Sequence, residues 1–355
     1  MRLLLKEIKT YFKRLFKKCI FILMEFFVKP RREHHLSEDP STICIIAQEK
    51  IGDFILLTPL FPLLKKYFPN IYITVLASKY NHKLFSQLPD VDEVICPKLN
   101  YWQFYKEIKH RKFDILYNPK DHSSRTFLIL TAIINANYKI GLKGFHNQKF
   151  YDYLFDIPFH TYIVEKNLSI CKLFNIRITE EVLIPKLPKP KNNQIEKYFQ
   201  RFKKPLVGIN LSAGSKFREW KEKKWLQFFE NISNQDASFL LFGMPDKKDI
   251  MKRISSRYKN VYIMKKVRDI IKLNSYISHL DLMVTPDTSI LHLAHINNIS
   301  TIGLFQKNVD NIKRFYKENK KMYIISSPTN DINSIPNSIV VKKCRSIINN
   351  ILTII

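Results

Sequence analysis

Residues 43–67 read ICIIAQEKIGDFILLTPLFPLLKKY: a short apolar run rich in β-branched residues, a polar turn holding a glycine, then a longer amphipathic stretch. Ile43–Ala47 has the length and composition of a strand. From Phe54 to Tyr67 the apolar residues return at helical spacing, so one helix is expected there. Strand, turn and helix are the opening half of a βαβ unit, and the alternation continues downstream. Tyr72–Ala77, Val91–Cys96, Ile115–Asn118 and Lys139–Gly141 read as further strands, which implies right-handed crossovers and a parallel sheet.

A second series of the same kind follows residues 185–204, PKLPKPKNNQIEKYFQRFKK, whose prolines and lysines read as a connection running into a short helix. Strands are expected at Leu206–Leu211, Ser238–Phe242, Val261–Met264, Leu282–Thr285 and Thr301–Phe305. Helices are expected at Lys223–Ile232, Asp246–Ser255, Asp269–Ser278, Ser289–Asn297 and Ile335–Leu352. The chain therefore divides into 1–40 (a basic amphipathic helix and linker), 41–184 (a first Rossmann-like domain), 185–204 (the connection), 205–334 (a second Rossmann-like domain) and 335–355 (a C-terminal helix). The fold class is α/β, with two such domains facing a cleft.

Composition bounds what this fold does. With 355 residues, 45% of them hydrophobic and 25% charged, the chain has enough apolar material for a normal core. Its net charge is +28, from 59 Lys and Arg against 31 Asp and Glu, which favours anionic partners such as nucleotides, phosphorylated sugars or acidic lipid. Biased base composition, which would also account for the many Asn and Ile, is the alternative source of so much lysine. No zinc-finger spacing or RNP-like aromatic run accompanies the charge, so nucleic acid is not the expected partner. Five scattered cysteines without a CxxC pair suit a reducing compartment. No run is long and apolar enough for an ordinary transmembrane helix.

The charge is organised at the start of the chain. Residues 1–32 carry ten Lys or Arg against Glu7 and Glu25, with Leu4, Ile8, Phe12, Leu15, Cys19, Ile22 and Phe26 along one helical face. An interfacial helix on an anionic leaflet fits this pattern, and a helix docked on the following domain is the alternative.

The chain has only seven glycines, so each is expected where a side chain is not tolerated. Gly52, Gly214 and Gly243 fall at strand-to-helix turns, the place where open α/β sheets bind ligands. Neither GxGxxG nor GxxxxGK[ST] occurs, which argues against a dinucleotide fingerprint and a P-loop. Asp53, after Lys50-Ile51-Gly52, is expected at the N-cap or first position of its helix, as a capping carboxylate or as a general base. The loop Ser212-Ala213-Gly214-Ser215-Lys216-Phe217-Arg218 follows a strand and precedes a helix. Its small residues let backbone amides approach a phosphate, and Lys216 and Arg218 supply charge. Asp287-Thr288-Ser289 opens another helix, with His292 on its first turn as either a ligand contact or a packed histidine. Lys120, His122 and Arg125 follow the strand Ile115–Asn118 and are candidates to meet an anionic acceptor, with Asp121-His122 as a second candidate base. Asp90-Val91-Asp92 has the DxD form of a metal–diphosphate site, but its position after Pro89 reads as an exposed turn.

In this order the segments IGDFILLTPLFPLLKKYFP (51–69), ITVLAS (73–78), PDVDEVI (89–95), VGINLSAGSKFREW (207–220), LLFGMPDKKD (240–249) and DLMVTPDTSILHLA (281–294) resemble glycosyltransferase family 9, the lipopolysaccharide heptosyltransferases. The similarity spans roughly residues 42–352. It implies a GT-B architecture and inverting, metal-independent transfer without a cofactor. It further implies a nucleotide-sugar donor, usually ADP-heptose, and a lipid-linked core sugar as acceptor, reached by a cytoplasmic enzyme peripheral to the inner membrane. The family's catalytic aspartate corresponds to Asp53. Its donor elements correspond to Ser212, Gly214, Ser215, Lys216 and Arg218, to Asp287, Thr288 and Ser289, and to His292. This chain has Ala47 where an arginine is often found, Ser289 where a glycine is common, and Arg218 in place of a lysine, which leaves another nucleotide sugar, or a non-catalytic sugar- or lipid-binding relative, as the alternatives.

Overall fold

A computed structural model describes residues 35–353, apart from 98–100, 123, 144–147, 190–192, 268, 308 and 318–319. The basic helix expected over residues 1–32 lies outside the described residues. The chain forms two compact units that divide between Pro185 and Lys186.

The first unit contains the strands β1 Thr42–Ala47, β2 Tyr72–Ala77, β3 Glu93–Ile95, β4 Lys112–Asn118, β5 Asn135–Leu142 and β6 Tyr153–Phe155. They form one parallel sheet in the order β3-β2-β1-β4-β5-β6. The second unit contains β7 Leu206–Asn210, β8 Ser238–Phe242, β9 Val261–Ile263, β10 Leu282–Pro286, β11 Ser300–Phe305 and β12 Met322–Ser326. Its parallel sheet runs β12-β11-β10-β7-β8-β9. Counted within each unit, both sheets have the doubly wound order 3-2-1-4-5-6. The strand order reverses between β1 and β4 in the first unit and between β7 and β10 in the second, and the crevice at such a reversal is where these sheets bind ligands.

The central strands are buried along nearly their whole length, because helices cover both faces. In the second unit, Trp225, Phe228, Phe229 and Phe239 pack with Val340, Cys344, Ile347 and Ile348 of the C-terminal helix Asn337–Leu352. That helix therefore belongs to the second unit. Truncating one such buried aromatic typically costs about 3–5 kcal/mol.

Several expectations are corrected. The single helix expected over 54–67 is two helices, Ile51–Leu57 and Leu60–Tyr67, separated at Thr58-Pro59. Pro59 has no N–H to continue the first helix, and the Thr58 hydroxyl donates to the Ile55 carbonyl at 2.8 Å. The first helix also starts earlier than expected, so Asp53 is its third residue and Lys50 its N-cap. The edge strands β6 and β12 and the helices Tyr101–Ile108 and Arg125–Ile133 complete the series. No helix among the described residues is long and apolar enough to cross a membrane.

Candidate active site

In the first unit, the turn after β1 is held from beneath by two buried side chains. The Asn81 amide donates to the carbonyls of Ala47 and Glu49 at 3.0 and 3.2 Å, and the Ser78 hydroxyl donates to the Glu49 carbonyl at 2.6 Å. These bonds fix the backbone from which Lys50 and the Ile51–Leu57 helix depart. Asp53 is half-buried there. Burial pushes its carboxyl above the usual carboxylate range, while the backbone N–H groups of Lys50 and Asp53 and the charges of Lys50 and His122 pull it back. The position near the start of a helix also favours the ionised form. Asp53 is thus a carboxylate whose basicity is raised without being neutralised by a partner salt bridge in its own helix.

The turn after β4 lies across the strand-order reversal from Asp53. Lys120 pairs with Glu49. His122 Nδ1 lies 3.0 Å from Asp121 Oδ1, and Lys166, 2% exposed, donates from Nζ to Asp121 Oδ2 at 2.9 Å and to the Phe159 carbonyl at 2.7 Å. Asp121 and Lys166 therefore form a buried ion pair that orients the exposed His122. Arg125 is exposed at the first residue of the Arg125–Ile133 helix. Of the three sequence candidates, Lys120 has its charge committed to Glu49, and His122 is held by Asp121. Asp92 of the DxD turn is likewise committed, accepting from Lys65 Nζ and from the Ile73 N–H, both at 2.7 Å.

In the second unit the corresponding turns follow β7 and β10. Asn210, at the end of β7 and 2% exposed, ties them together. Its amide donates to Thr285 Oγ1 at 2.9 Å and Thr288 Oγ1 at 3.2 Å, and its oxygen accepts from the Ser212 N–H at 3.1 Å. Ser212 is buried, and its hydroxyl accepts from the Met244 N–H at 2.7 Å, which ties the loop to the turn after β8. Glu219 accepts from the Ala213 N–H at 3.2 Å and from Lys247 Nζ at 2.8 Å. The loop passes through one 3-10 turn, Lys216–Arg218, and the next α-helix begins only at Glu222. The helix expected from Lys223 begins one residue earlier, so it does not start at the loop itself, and charge at the loop comes from Lys216 and Arg218.

Gly214 departs from the expectation that each glycine avoids a clash. A methyl group on Gly208 would meet Leu280 and Met283 side-chain atoms at 2.6 and 2.8 Å, and one on Gly243 would meet Lys247 Cβ at 3.0 Å. At Gly214 the nearest atom would be Arg218 Nη2, at an ordinary 3.8 Å, and its φ is not positive. Nothing in the chain's own packing requires glycine there, so the loop presents open, exposed backbone beside Arg218.

Arg218 Nη1 donates to Asp287 Oδ2 at 3.1 Å, and Tyr316 donates its hydroxyl to the other oxygen of Asp287 at 3.0 Å. The Tyr316 ring stacks on His292 at 4.8 Å and 16°, and its oxygen lies 3.4 Å from His292 Nε2. Burial holds the His292 imidazole down at about 4, so it is neutral at pH 7. Thr288 is the N-cap of the Ser289–Ile296 helix, in extended backbone conformation, with its hydroxyl turned to Asn210 rather than to the helix. The first N–H groups of that helix are therefore not capped by the Thr288 side chain. Asp287, Thr288, Ser289, His292 and Arg218 are brought together as expected. Tyr316, Asn210, Lys166 and the Asn81–Ser78 clamp were not singled out from the sequence. Asn210 falls inside the VGINLSAG segment and Ser78 inside ITVLAS, so position within those segments was the available signal; Tyr316 and Lys166 carried none.

Three comparisons agree with this organisation. The sequence profile of "Glycosyltransferase family 9 (heptosyltransferase)" matches residues 101–334. The lipopolysaccharide core heptosyltransferase OpsX of Haemophilus influenzae is 22% identical over 311 residues, covering 80% of this chain and 87% of that protein. Among solved structures, the glycosyl transferase family 9 protein of Veillonella parvula superposes with a TM-score of 0.68 at 15% identity, covering 90% of this chain and 100% of the other. Escherichia coli heptosyltransferase WaaC with ADP-2-deoxy-2-fluoro heptose gives 0.65 at 13% identity, covering 86% and 99%. Two doubly wound units in this sequence order are the GT-B arrangement.

Proposed function

Because the chain belongs to glycosyltransferase family 9, we propose that it transfers a heptose from ADP-heptose to a lipid-linked lipopolysaccharide core sugar, with inversion at the anomeric carbon and Asp53 as general base. The acceptor hydroxyl loses its proton to Asp53 as its oxygen attacks the anomeric carbon, and the bond from that carbon to the ADP oxygen breaks on the opposite face. Negative charge develops on the departing diphosphate. Arg218, Lys216, the open backbone around Gly214 and Ser215, and the N–H groups at Ser289 are the groups that receive it, in the role a metal ion plays elsewhere. Neutral His292, backed by Tyr316, contributes hydrogen bonding without adding charge. His122 and Arg125 face the anionic acceptor. Residues 1–32 hold the enzyme on the cytoplasmic face of the inner membrane, where that acceptor is made.

The observation that carries this reading is Asp53: a half-buried carboxylate with raised basicity, at the carboxyl end of the strand beside the order reversal. Supplying ADP-heptose and core lipopolysaccharide, and following the acceptor by mass spectrometry, should give one added heptose. Asp53→Asn should lower formation of that product about 10²–10⁴-fold while leaving ADP binding intact. Near-normal turnover by the variant removes Asp53 from the mechanism. Transfer from a different nucleotide sugar, with none from ADP-heptose, overturns the donor assignment.

A further inference from the structure

The Tyr101–Ile108 helix has a face that the catalytic reading does not use. Phe104 and Ile108 are 5% and 1% exposed and belong to the core of the first unit. Half a helical turn away, Trp102, Tyr105, Lys106 and Lys109 line up at i, i+3, i+4 and i+7. Trp102 is 68% exposed and Tyr105 52%. Their rings stack on each other at 6.3 Å and 27°, with Lys106 Nζ 5.5 Å from the Trp102 ring and Lys109 Nζ 5.7 Å from the Tyr105 ring. Gln103 and Glu107 are bonded to each other at 2.7 Å on the flank of the helix, so the acidic group lies off this face.

We infer that this aromatic and basic face is a docking surface for an anionic lipid bilayer. Tryptophan and tyrosine favour the headgroup level, where their rings are half apolar and half polar, and lysine beside them meets anionic phosphate. A face only about 12 Å long is small for a stable protein interface, which needs about 800 Å² on each partner. The two rings lie side by side with a lysine ammonium near each, an aromatic–cationic pairing that suits the headgroup level of an anionic bilayer. The placement is also useful. The helix crosses over between the parallel strands β3 and β4, so it runs opposite to them and begins at their carboxyl ends. Asp53 and the Lys120–Arg125 turn lie at that same end of the sheet. A bilayer touching Trp102 therefore brings a lipid-linked acceptor to the correct end of this unit.

Trp102 provides its own readout. The other two tryptophans, Trp220 and Trp225, are 2% and 1% exposed, so a change of emission on docking reports Trp102. The full chain is titrated with phosphatidylcholine vesicles with and without phosphatidylglycerol. The emission should shift to the blue and be quenched by brominated lipid only when phosphatidylglycerol is present, and Trp102→Phe should lose both signals. Lys106→Gln/Lys109→Gln should weaken partitioning about 30-fold, from about 1 kcal/mol per lysine. Vesicle binding that leaves the Trp102 emission unmoved, as binding through residues 1–32 alone would, overturns the inference. So does undiminished partitioning by the double lysine variant, or a Trp102 response to single-stranded oligonucleotide but not to vesicles. None of these readouts depends on the enzyme's donor or on Asp53.

Discussion

Replacing Lys166 with methionine tests whether the turn after β4 is built on a buried ion pair. The Lys166 side chain is 2% exposed and that of Asp121 9%, and their 2.9 Å contact is supplemented by the 2.7 Å bond to the Phe159 carbonyl. Methionine fills much the same volume, so the packing loss is small. What disappears is the countercharge at 2.9 Å from Asp121 Oδ2, while His122 Nδ1 stays 3.0 Å from Asp121 Oδ1. Breaking one side of a buried pair costs about 3–5 kcal/mol. For a unit of this size each kcal/mol moves Tm by about 2–4 °C, so the transition of the first unit should fall by about 6–20 °C. Calorimetry with parallel urea melts measures it. Asp121→Asn in the Lys166→Met background removes the stranded charge and should recover much of the loss, a coupling that the double-mutant cycle reads directly. A loss under about 1 kcal/mol, or strictly additive single variants, would mean that water already screens this pair and that it does not frame the turn.

Three further outcomes follow from the same geometry. Burial raises the folded-state pKa of Asp53, so the carboxyl's contribution to stability is fully present below its unfolded pKa and is lost as pH rises through the folded value. Asp53→Asn should accordingly melt no lower than the wild type at about neutral pH, where the carboxyl is ionised in the unfolded chain, while transfer falls about 10²–10⁴-fold; a markedly lower melting point contradicts the assignment of burial as the cause. Tyr316→Phe removes the hydrogen bond to Asp287 Oδ1 but keeps the ring against His292, and should weaken ADP binding about 10-fold with little change in Tm, which titration calorimetry would detect and an unaltered affinity would refute. Gly214→Ala should leave Tm unchanged and lower donor affinity, whereas Gly208→Ala, which collides with Leu280 and Met283, should cost about 1–3 kcal/mol of stability; equal melting points for the two would reject this contrast.

The fold was legible because apolar strands of five to seven residues alternate with amphipathic helices, and those patterns are local. β1, β2, β4, β7, β8, β10 and β11 were all visible in this way. The short edge strand β6 and the half-exposed β12, with burial alternating irregularly from Met322 to Ser326, lack the continuous apolar signature and were missed. The break at Thr58-Pro59 was overlooked because the hydrophobic period runs straight across it, while the interruption depends on one absent N–H. Glycine and charge pointed to the loops after β1, β4, β7 and β10, but the strand order that places each pair on either side of a reversal is a long-range property. Partners were the least legible feature. Lys120 is written in the sequence as a cation available to an acceptor, yet the fold gives it Glu49, 71 positions away.

On the proposed reading, the ion pairs around the loop after β7 explain how an acidic residue can sit among groups that would receive a diphosphate. Glu219–Lys247 is about 20% exposed on each side, and Glu219 also accepts from the Ala213 N–H. These contacts hold the framework. Arg218–Asp287 is different: both side chains are 30% exposed, one nitrogen, Nη1, serves both the carboxylate at 3.1 Å and the Asp287 carbonyl at 3.4 Å, and pairs so open to solvent are worth only about 0–1 kcal/mol. A diphosphate offers more charge and a fork geometry that one carboxylate oxygen does not, so exchange of partners at Arg218 costs little and gains a bidentate contact. Tyr316 then has a definite task on the proposed reading. By donating to the second oxygen of Asp287, it keeps that carboxylate in place after the arginine leaves, oriented beside the sugar instead of repelling the phosphates. The loop thus needs no unpaired arginine waiting in solvent. It needs one pair weak enough to open among others that are not.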